Sequence, residues 1–238
     1  MNKKHSYIGI EELILADEYL INYNKFIVSL IINSLNFKSI KNTVDFGSGI
    51  GTLAKIFYEK TNNKPLCIEI DDKGIKYLKT QKFKVFNSLN EISCKIYNVY
   101  SSNVLEHIKN DKKIVQEIYN KLEYGGKLIL YLPAKEIIYS DFDKRIGHYR
   151  RYEKNKLINM LQDANFKVLK IDYCDSLGFF ASFITKLIGY KEGKGLASPS
   201  ALKIYDNLVF PVSKVLDFCG MRKIFGKNLF VVCEKSKL

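Results

Sequence analysis

The sequence predicts an α/β fold in which a mostly parallel sheet is covered by helices on both faces. Three observations lead to this prediction. Short apolar runs alternate with segments whose apolar residues recur at helical spacing. A glycine-rich turn follows the first apolar run, and an acidic residue follows the second. Alternating strands and helices with short connections are typical of a parallel sheet, because each crossover lays a helix on one face.

The elements of this sheet are predicted in order along the chain. Residues 1–10 are expected to form an extended arm, and residues 11–35 one or two helices. Strands are expected near residues 43–47, 66–70, 82–86, 95–101, 127–132, 166–173 and 229–234. Helices are expected over 51–60, 72–79, 111–122 and 153–164. The helix at 111–122 has the clearest pattern, since Ile114, Val115, Ile118 and Leu122 form one apolar stripe.

The turn after the first strand indicates a nucleoside site. Gly47, Gly49 and Gly51 allow a sharp turn and a close approach of the backbone to a ligand at the start of the following helix. Glu69 lies 22 positions after Gly47, where a carboxylate can accept both hydroxyls of a ribose. A dinucleotide fingerprint requires its third glycine one residue later, at Thr52, so the spacing argues against a nicotinamide cofactor.

Three blocks of sequence resemble the class I S-adenosylmethionine-dependent methyltransferases. Residues 44–54 are similar to motif I of that family, with Asp45 in its acidic position. Residues 101–108 are similar to its motif after strand four, and residues 122–130 to its turn into strand five. The resemblance implies a three-layer Rossmann-like sandwich with a seven-stranded sheet whose last strand is antiparallel.

The resemblance also implies the domain organisation. We expect a single domain over 1–238, with an N-terminal helical region at 1–40 and a cofactor-binding core at 41–173. In the plain fold a short hairpin joins the last two strands, but here residues 174–228 intervene. Their apolar and aromatic content predicts a lid of two or more helices, joined by a turn-rich segment at 189–200. The last strand is expected within 229–238.

The cofactor implied by the resemblance is S-adenosylmethionine, which leaves as S-adenosylhomocysteine. Glu69 is expected to hold the ribose, Ser88 or Leu89 to lie beside the adenine, and Asn103 to line the methionine portion. The chain departs from the family at Asn87 and Asn98, where acidic residues are common. The predicted cofactor-binding residues are Asp45, Gly47, Ser48, Gly49, Gly51, Glu69, Ile70, Ser88, Leu89 and Asn103.

The segment 141–152, after the fifth strand, is predicted to contact the acceptor. His148 and His107 are the candidate catalytic residues, because imidazole titrates near neutral pH. Each has a structural alternative, a hydrogen bond that fixes its loop. Asp143, Arg150, Arg151 and Tyr152 are predicted to bind substrate, and the alternative for the arginines is pairing with Asp141 or Asp143. The spacing of Asp141, Asp143 and His148 matches no metal-binding loop, so no metal is predicted.

The predicted function is methyl transfer to a small molecule, with a hydroxyl of a sugar, glycan or lipid-linked intermediate as acceptor. The Gly-His-x-Arg-Arg-Tyr stretch and residues 225–229 resemble bacterial enzymes of the small-molecule and glycan-modifying type. Two alternatives stay open: an inactive cofactor-binding scaffold, and an N-methyltransferase. The second ranks lower because residues 101–104 lack the Asn/Asp-Pro-Pro-Tyr/Phe motif of nucleic-acid amine methylases.

Composition limits the partners. The net charge is +13, but only four of 38 basic residues are arginine and the lysines are spread along the chain, so nucleic acid binding is disfavoured. Attraction to an anionic substrate or membrane surface fits better, with peripheral membrane contact through 179–184 as one hypothesis. The five scattered cysteines lack a C-x-x-C pair, and no stretch reads as a signal peptide or membrane span. A cytoplasmic monomer or homodimer, with or without contact to the membrane surface, is therefore expected.

Overall fold

The computed structural model describes residues 9–35, 37–188 and 198–236. The N-terminal region forms two helices, α1 (Ile10–Tyr19) and α2 (Ile21–Ser34). The predicted arm lies almost entirely outside the described residues, and so do residues 189–197 of the predicted turn-rich segment.

A seven-stranded sheet forms the centre of the molecule, with the order β3-β2-β1-β4-β5-β7-β6. Its strands are β1 (Thr43–Phe46), β2 (Leu66–Ile68), β3 (Val85–Phe86), β4 (Ile96–Ser102), β5 (Leu122–Pro133), β6 (Lys167–Cys174) and β7 (Asn228–Glu234). β7 runs antiparallel to both of its neighbours, and the other neighbouring strands pair in parallel. The predicted fold is confirmed. β5 starts earlier than predicted because Leu122 pairs with Ile96 across a register shift in β4.

Helices cover both faces of the sheet. After the N-terminal pair come α3 (Thr52–Thr61), α4 (Asp72–Thr80), α5 (Asp111–Lys121), α6 (Asp141–Arg145) and α7 (Lys154–Asp163). Between β6 and β7 lie α8 (Ser176–Ile188), α9 (Pro199–Ile204) and α10 (Phe210–Phe218), and a π-helical turn over Tyr205–Val209 joins the last two. The helical insert between strands six and seven is therefore present.

The strands place two apolar cores on opposite faces of the sheet. Along β4 and β5, Val99 and Leu128 enter one core, while Tyr100 and Ile129 enter the other. The second core contains residues of α2 together with Phe210 of the insert. Alternation of period two along each strand accounts for this division. The N-terminal helices and the insert therefore pack on the same face.

Buried carboxylates attach the insert to this face. Asp206 accepts hydrogen bonds from the backbone nitrogens of Asn22 (2.8 Å) and Tyr23 (2.9 Å), which are free donors at the start of α2. Asp217 accepts from the backbone nitrogen of Asp175 at 2.7 Å, and Asp175 in turn accepts from Ser213 at 3.1 Å. These contacts fix the position of the insert, whereas its role as a lid stays a prediction. Among the described residues, no helix is long and apolar enough to cross a membrane.

Candidate functional site

The glycine turn joins the carboxyl ends of three strands. Gly47 and Gly51 have φ angles of +78° and +89°, which L side chains rarely adopt. The backbone nitrogens of Gly47 and Ser48 both donate to the carbonyl of Ile68 at the end of β2, at 2.9 and 3.0 Å. A Cβ on Gly47 would lie 2.4 Å from Val104, which follows β4. Glycine is therefore required for β1, β2 and β4 to end around one concave backbone.

Glu69 is held in place by backbone donors. Its carboxylate accepts from the nitrogen of Gly49 at 2.6 Å, from Ile70 at 2.7 Å and from Asp71 at 2.9 Å. The side chain thus bridges the glycine turn and the end of β2. Ile70 is 60% exposed beside it, an uncommon position for a large apolar side chain next to a polar turn.

Gly74 is a part of this site that the sequence analysis missed. A Cβ at this position would lie 2.7 Å from the carbonyl oxygen of Gly49 and 3.0 Å from Cγ of Glu69. The helix α4 therefore touches the glycine turn directly, and the side chain of Asp71 caps its first turn. An isolated glycine inside a helical pattern was the available signal.

Asp45 is buried next to the turn and is incompletely bonded. Burial raises the pKa of its carboxyl to about 7, the nearby hydroxyls of Tyr100 and Ser48 oppose this rise, and the charge of Glu69 adds to it. Its Oδ2 has no hydrogen-bond partner. A buried carboxylate oxygen of this kind is costly unless a donor or cation binds it.

The remaining predicted cofactor residues lie along the same edge of the sheet. Asn103 follows β4 with a φ of +52° and is exposed. Ser88 is half-buried and Leu89 is buried, after β3. Asn87, where the family often has an acid, donates its backbone nitrogen to Glu91 at 2.9 Å. An acidic side chain therefore approaches this position from four residues further along.

Helix α1 covers the glycine turn. The side chain of Leu13 lies 3.0 Å from the position that a Cβ of Gly49 would take. The preceding residue of α1, Glu12, pairs with Arg145 of α6 at 2.7 Å. This contact of α1 could not be predicted, because nothing in the local pattern of the helix indicates which distant turn it covers.

The acceptor segment is organised around Asp143. Its Oδ1 accepts from Nδ1 of His148 at 2.8 Å and from Nε and Nη2 of Arg151 at 3.0 and 2.9 Å, and its Oδ2 accepts from the nitrogen of Ser140. Asp143 is fully buried. Burial alone would raise its pKa, but the hydrogen bonds and charges of His148 and Arg151 hold it at about 2.

His148, His107 and Glu106 form one cluster with Asp143 behind it. Nε2 of His148 lies 3.7 Å from Oε1 of Glu106, and the two imidazole rings are 4.5 Å apart at their centroids. Burial and the neighbouring His148 together lower the pKa of His107 to about 4. Glu106 is fully buried with both carboxyl oxygens unbonded, and burial raises its pKa to about 8. Both histidines were predicted from the sequence as catalytic candidates, whereas no role was predicted for Glu106.

The other predicted substrate residues are engaged within the protein. Arg150 pairs with Asp111 at 2.7 Å and donates to the carbonyl of Lys109 at 2.8 Å. Tyr152 is buried and donates its hydroxyl to the same Asp111. Arg151 is buried against Asp143, which was its expected alternative partner. The two arginines therefore hold the segment in place rather than presenting free charged edges.

Comparison with known proteins identifies the class. Residues 19–171 match the family described as a methyltransferase domain, so the chain belongs to that family. The malonyl-[acyl-carrier protein] O-methyltransferase 1 of Ilyobacter polytropus is 25% identical over 224 residues, which cover 83% of this chain and 81% of that protein. The chain is therefore an S-adenosylmethionine-dependent methyltransferase.

Solved structures show the same fold. A putative methyltransferase of Haloferax volcanii, in complex with the Trm112 methyltransferase activator, matches with a TM-score of 0.65 at 10% identity, covering 100% of both chains. A SAM-dependent methyltransferase of Archaeoglobus fulgidus matches with a TM-score of 0.58 at 14% identity, covering 94% of this chain and 99% of that one.

The residues at the glycine turn fit the cofactor. S-adenosylmethionine carries a ribose and two cationic groups, a sulfonium and an ammonium. The unbonded carboxylate oxygen of Asp45 suits a cationic group, and the fixed carboxylate of Glu69 suits ribose hydroxyls. Gly47 and Gly49 have no Cβ, so these two residues add no side chain of their own between the backbone and a ligand.

Proposed function

We propose that the chain methylates a neutral hydroxyl of a small molecule, and that the acceptor is a sugar, a glycan or a lipid-linked intermediate. The observation that carries the proposal is the hydrogen-bonded pair of His148 and Asp143 at the carboxyl end of β5. A hydroxyl is a poor nucleophile until its proton is removed, and an oriented imidazole is suited to this task.

The chemistry of the step is simple. The bound cofactor supplies a methyl group on a positively charged sulfur. The acceptor oxygen would take the methyl carbon as its bond to sulfur breaks, and the proton of the acceptor would pass to Nε2 of His148. Asp143 fixes Nδ1 of His148, so that Nε2 is the nitrogen directed into the cluster with Glu106 and His107. Holding the two reactants in line can supply about 7–11 kcal/mol of the barrier reduction.

The cofactor would occupy the concave edge formed by the glycine turn and the ends of β2, β3 and β4. In the proposal Asp45 binds a cationic group, Glu69 binds the ribose, and Ile70 and Leu89 flank the base. Gly47, Ser48, Gly49, Gly51, Ser88 and Asn103 would complete the pocket. Arg150, Arg151 and Tyr152 would act by positioning the acceptor segment, because their polar atoms are bonded internally.

A carboxylate acceptor is the second candidate, because the Ilyobacter relative is described as a methyltransferase of a malonyl group. A carboxylate needs no base, and its usual partner is a free guanidinium. All three arginines of the acceptor segment are already paired with acidic residues, Arg145 with Glu12, Arg150 with Asp111 and Arg151 with Asp143. This pairing favours the neutral hydroxyl.

The outer face of the insert supports a lipid-linked acceptor or a contact with the membrane surface. Large apolar side chains follow one side of the continuous helix that includes α9 and α10. Their exposed fractions reach 65% at Leu208, 61% at Val215 and 80% at Phe218. A face of this kind suits the boundary between headgroups and acyl chains.

The test is methyl transfer from radiolabelled cofactor to hydroxyl and carboxylate acceptors in parallel. We expect product only with hydroxyl acceptors, and we expect His148→Ala to lower turnover by about 10²–10⁴ while cofactor affinity changes little. Equal losses of turnover and affinity would remove His148 from the chemical step. Methylation of carboxylates that survives His148→Ala would replace the hydroxyl proposal with the second candidate. Cofactor binding without transfer to any acceptor would favour the scaffold.

A further inference from the structure

Glu106, His107 and His148 have the composition of a transition-metal site. Each offers one ligand atom, and these atoms all lie within 4.8 Å of one another. A tetrahedral ion with bonds of about 2.0–2.1 Å needs ligand atoms about 3.4 Å apart. The 3.7 Å between His148 Nε2 and Glu106 Oε1 is within a few tenths of an ångström of this value. Two imidazoles and one carboxylate are a known ligand set for Zn²⁺ and neighbouring first-row ions.

The hydrogen bonds around the two histidines are also those expected at a metal site. A metal-binding histidine usually donates its other ring nitrogen to a carboxylate or a backbone carbonyl, which fixes the tautomer and the ring orientation. Nδ1 of His148 bonds Asp143 at 2.8 Å, which leaves Nε2 directed toward Glu106. The ring of His107 bonds backbone groups of Ile146 and Gly147. Both rings are therefore oriented before any ligand arrives.

The buried carboxylate of Glu106 is a second, independent indication that a ligand binds here. Its side chain is fully buried, and neither carboxyl oxygen has a hydrogen-bond partner. Unbonded buried oxygens are rare because their desolvation is not compensated. Arg151, a buried cation whose charge acts on Glu106, is bound by Asp143 instead. A ligand that accepts electron density from both Glu106 and His148 would satisfy these oxygens.

We propose that Glu106, His107 and His148 bind one divalent first-row transition ion, such as Zn²⁺, and leave one coordination position open. Asp143 would then support a ligand rather than bind the ion itself. Asp141, whose spacing from Asp143 and His148 already argued against a metal site, is exposed and paired with Lys144 at 3.1 Å. The harder ions Mg²⁺ and Ca²⁺ are disfavoured because they prefer oxygen ligands.

The role of the ion toward the acceptor rests on the proposed function. A hydroxyl bound at the open position would lose its proton to water more readily, because the ion would stabilise the resulting oxyanion. His148 would act as a ligand and not as a free base. Loss of turnover in His148→Ala is expected under both mechanisms, so metal dependence separates them.

The experiment uses the full chain, purified without a polyhistidine tag and stripped with a chelator. Zn²⁺ binding is measured by isothermal titration and metal analysis, and Co²⁺ binding by its visible absorption bands. We expect one equivalent of tightly bound metal. Glu106→Gln and His148→Asn should weaken binding at least 100-fold, and Asp143→Asn about 10–100-fold through the supporting shell. Glu117→Gln, on an exposed residue paired with Lys113, is the matched control and should bind normally.

The proposal fails if the wild type binds no stoichiometric metal, or binds it no more tightly than Glu106→Gln. The Co²⁺ spectrum of the wild type tests the site even where a variant folds poorly, and absence of the intense visible bands of four-coordinate Co²⁺ would also overturn the proposal. These measurements need neither cofactor nor acceptor. If the protein binds metal but transfers no methyl group, the proposed function alone is refuted. If the metal-free protein transfers methyl groups as well as the untreated protein does, the metal site alone is refuted.

Discussion

The glycine turn and the acceptor cluster lie at the same edge of the sheet but are built in different ways. Around the turn, the polar groups are mostly backbone amides, and Glu69 is satisfied by nitrogens from Gly49, Ile70 and Asp71. Around Asp143, the polar groups are charged side chains that bond one another in the interior. The first region depends on chain conformation, whereas the second depends on charge balance. Substitutions should therefore change cofactor affinity in one region, and stability together with turnover in the other.

The largest effect is expected from Asp143→Asn. The substitution keeps the shape but removes the charge that Arg151 and His148 share in a buried site. Breaking a buried ion pair from one side costs about 3–5 kcal/mol, because the remaining charge is left uncompensated. In a chain of this size, thermal unfolding should shift by about 10 °C to lower temperature.

Asp141→Asn is the matched control for that measurement, since Asp141 lies two residues away and its side chain is 77% exposed. Its unfolding temperature should stay within about 1–2 °C of the wild type, as is usual for exposed ion pairs. Similar shifts in the two variants would mean that charge balance does not govern the acceptor cluster.

Glu69→Gln tests the other side of the comparison. The amide keeps one oxygen acceptor but has an NH₂ donor in place of the second oxygen. This donor would face a backbone N–H group that now donates to Glu69. Hydrogen bonds to a charged acceptor contribute about 1.5–3 kcal/mol, so affinity for S-adenosylmethionine should fall about 10–150-fold. Calorimetric titration measures this loss, with the exposed Asp72→Asn as control. Unchanged affinity would place the ribose elsewhere.

The same difference explains what the sequence could predict. The turn, Glu69 and the alternation of strands are local patterns, and each follows from backbone geometry within a few residues. The partnership of Asp143 with His148 is also close in sequence, but the approach of Glu106 and His107 depends on how β4 and β5 lie side by side. Strand pairing of this kind is tertiary information.

In the insert too, the helices could be predicted from the local sequence, whereas the contacts that attach them to the core could not. Its apolar composition predicted helices, and helices are present between β6 and β7. The buried acids Asp175, Asp206 and Asp217, which attach it to the core, have no local pattern that distinguishes them from surface acids. Their partners are backbone nitrogens and hydroxyls contributed by other helices or by distant turns.

The charge of Asp45 predicts a pH dependence that belongs to the glycine turn alone. Its carboxyl has a pKa of about 7, so its ionised fraction rises between pH 6 and pH 8. If this carboxylate binds a cationic group, affinity for S-adenosylhomocysteine, which keeps the ammonium, should rise up to about tenfold over that interval. Asp45→Asn should bind more weakly and show no such rise. An equal rise in the variant would assign the pH dependence to another group.

Ionisation of Asp45 should lower the free energy of unfolding, although it raises affinity for the cofactor. Its folded pKa lies above the unfolded value, so its contribution is full below about pH 4 and is lost as pH rises through about 7. The free energy of unfolding of the cofactor-free protein should therefore fall across that window. The Asp45→Asn variant, which has no carboxyl at this position, should not show this fall. Chemical unfolding at pH 5 and pH 8 measures the difference.

The smallest effect is expected where the two regions meet, at the ion pair between Glu12 of α1 and Arg145 of α6. The arginine side chain is 39% exposed, and an exposed pair contributes about 1 kcal/mol or less. Arg145→Ala should therefore leave unfolding nearly unchanged. Because α1 also covers the glycine turn through Leu13, we expect S-adenosylmethionine to dissociate about two- to fivefold faster, measured by stopped-flow fluorescence. Glu12→Ala should give the same increase, and the double variant no further one. Independent, additive effects would mean that α1 covers the cofactor without help from the acceptor side.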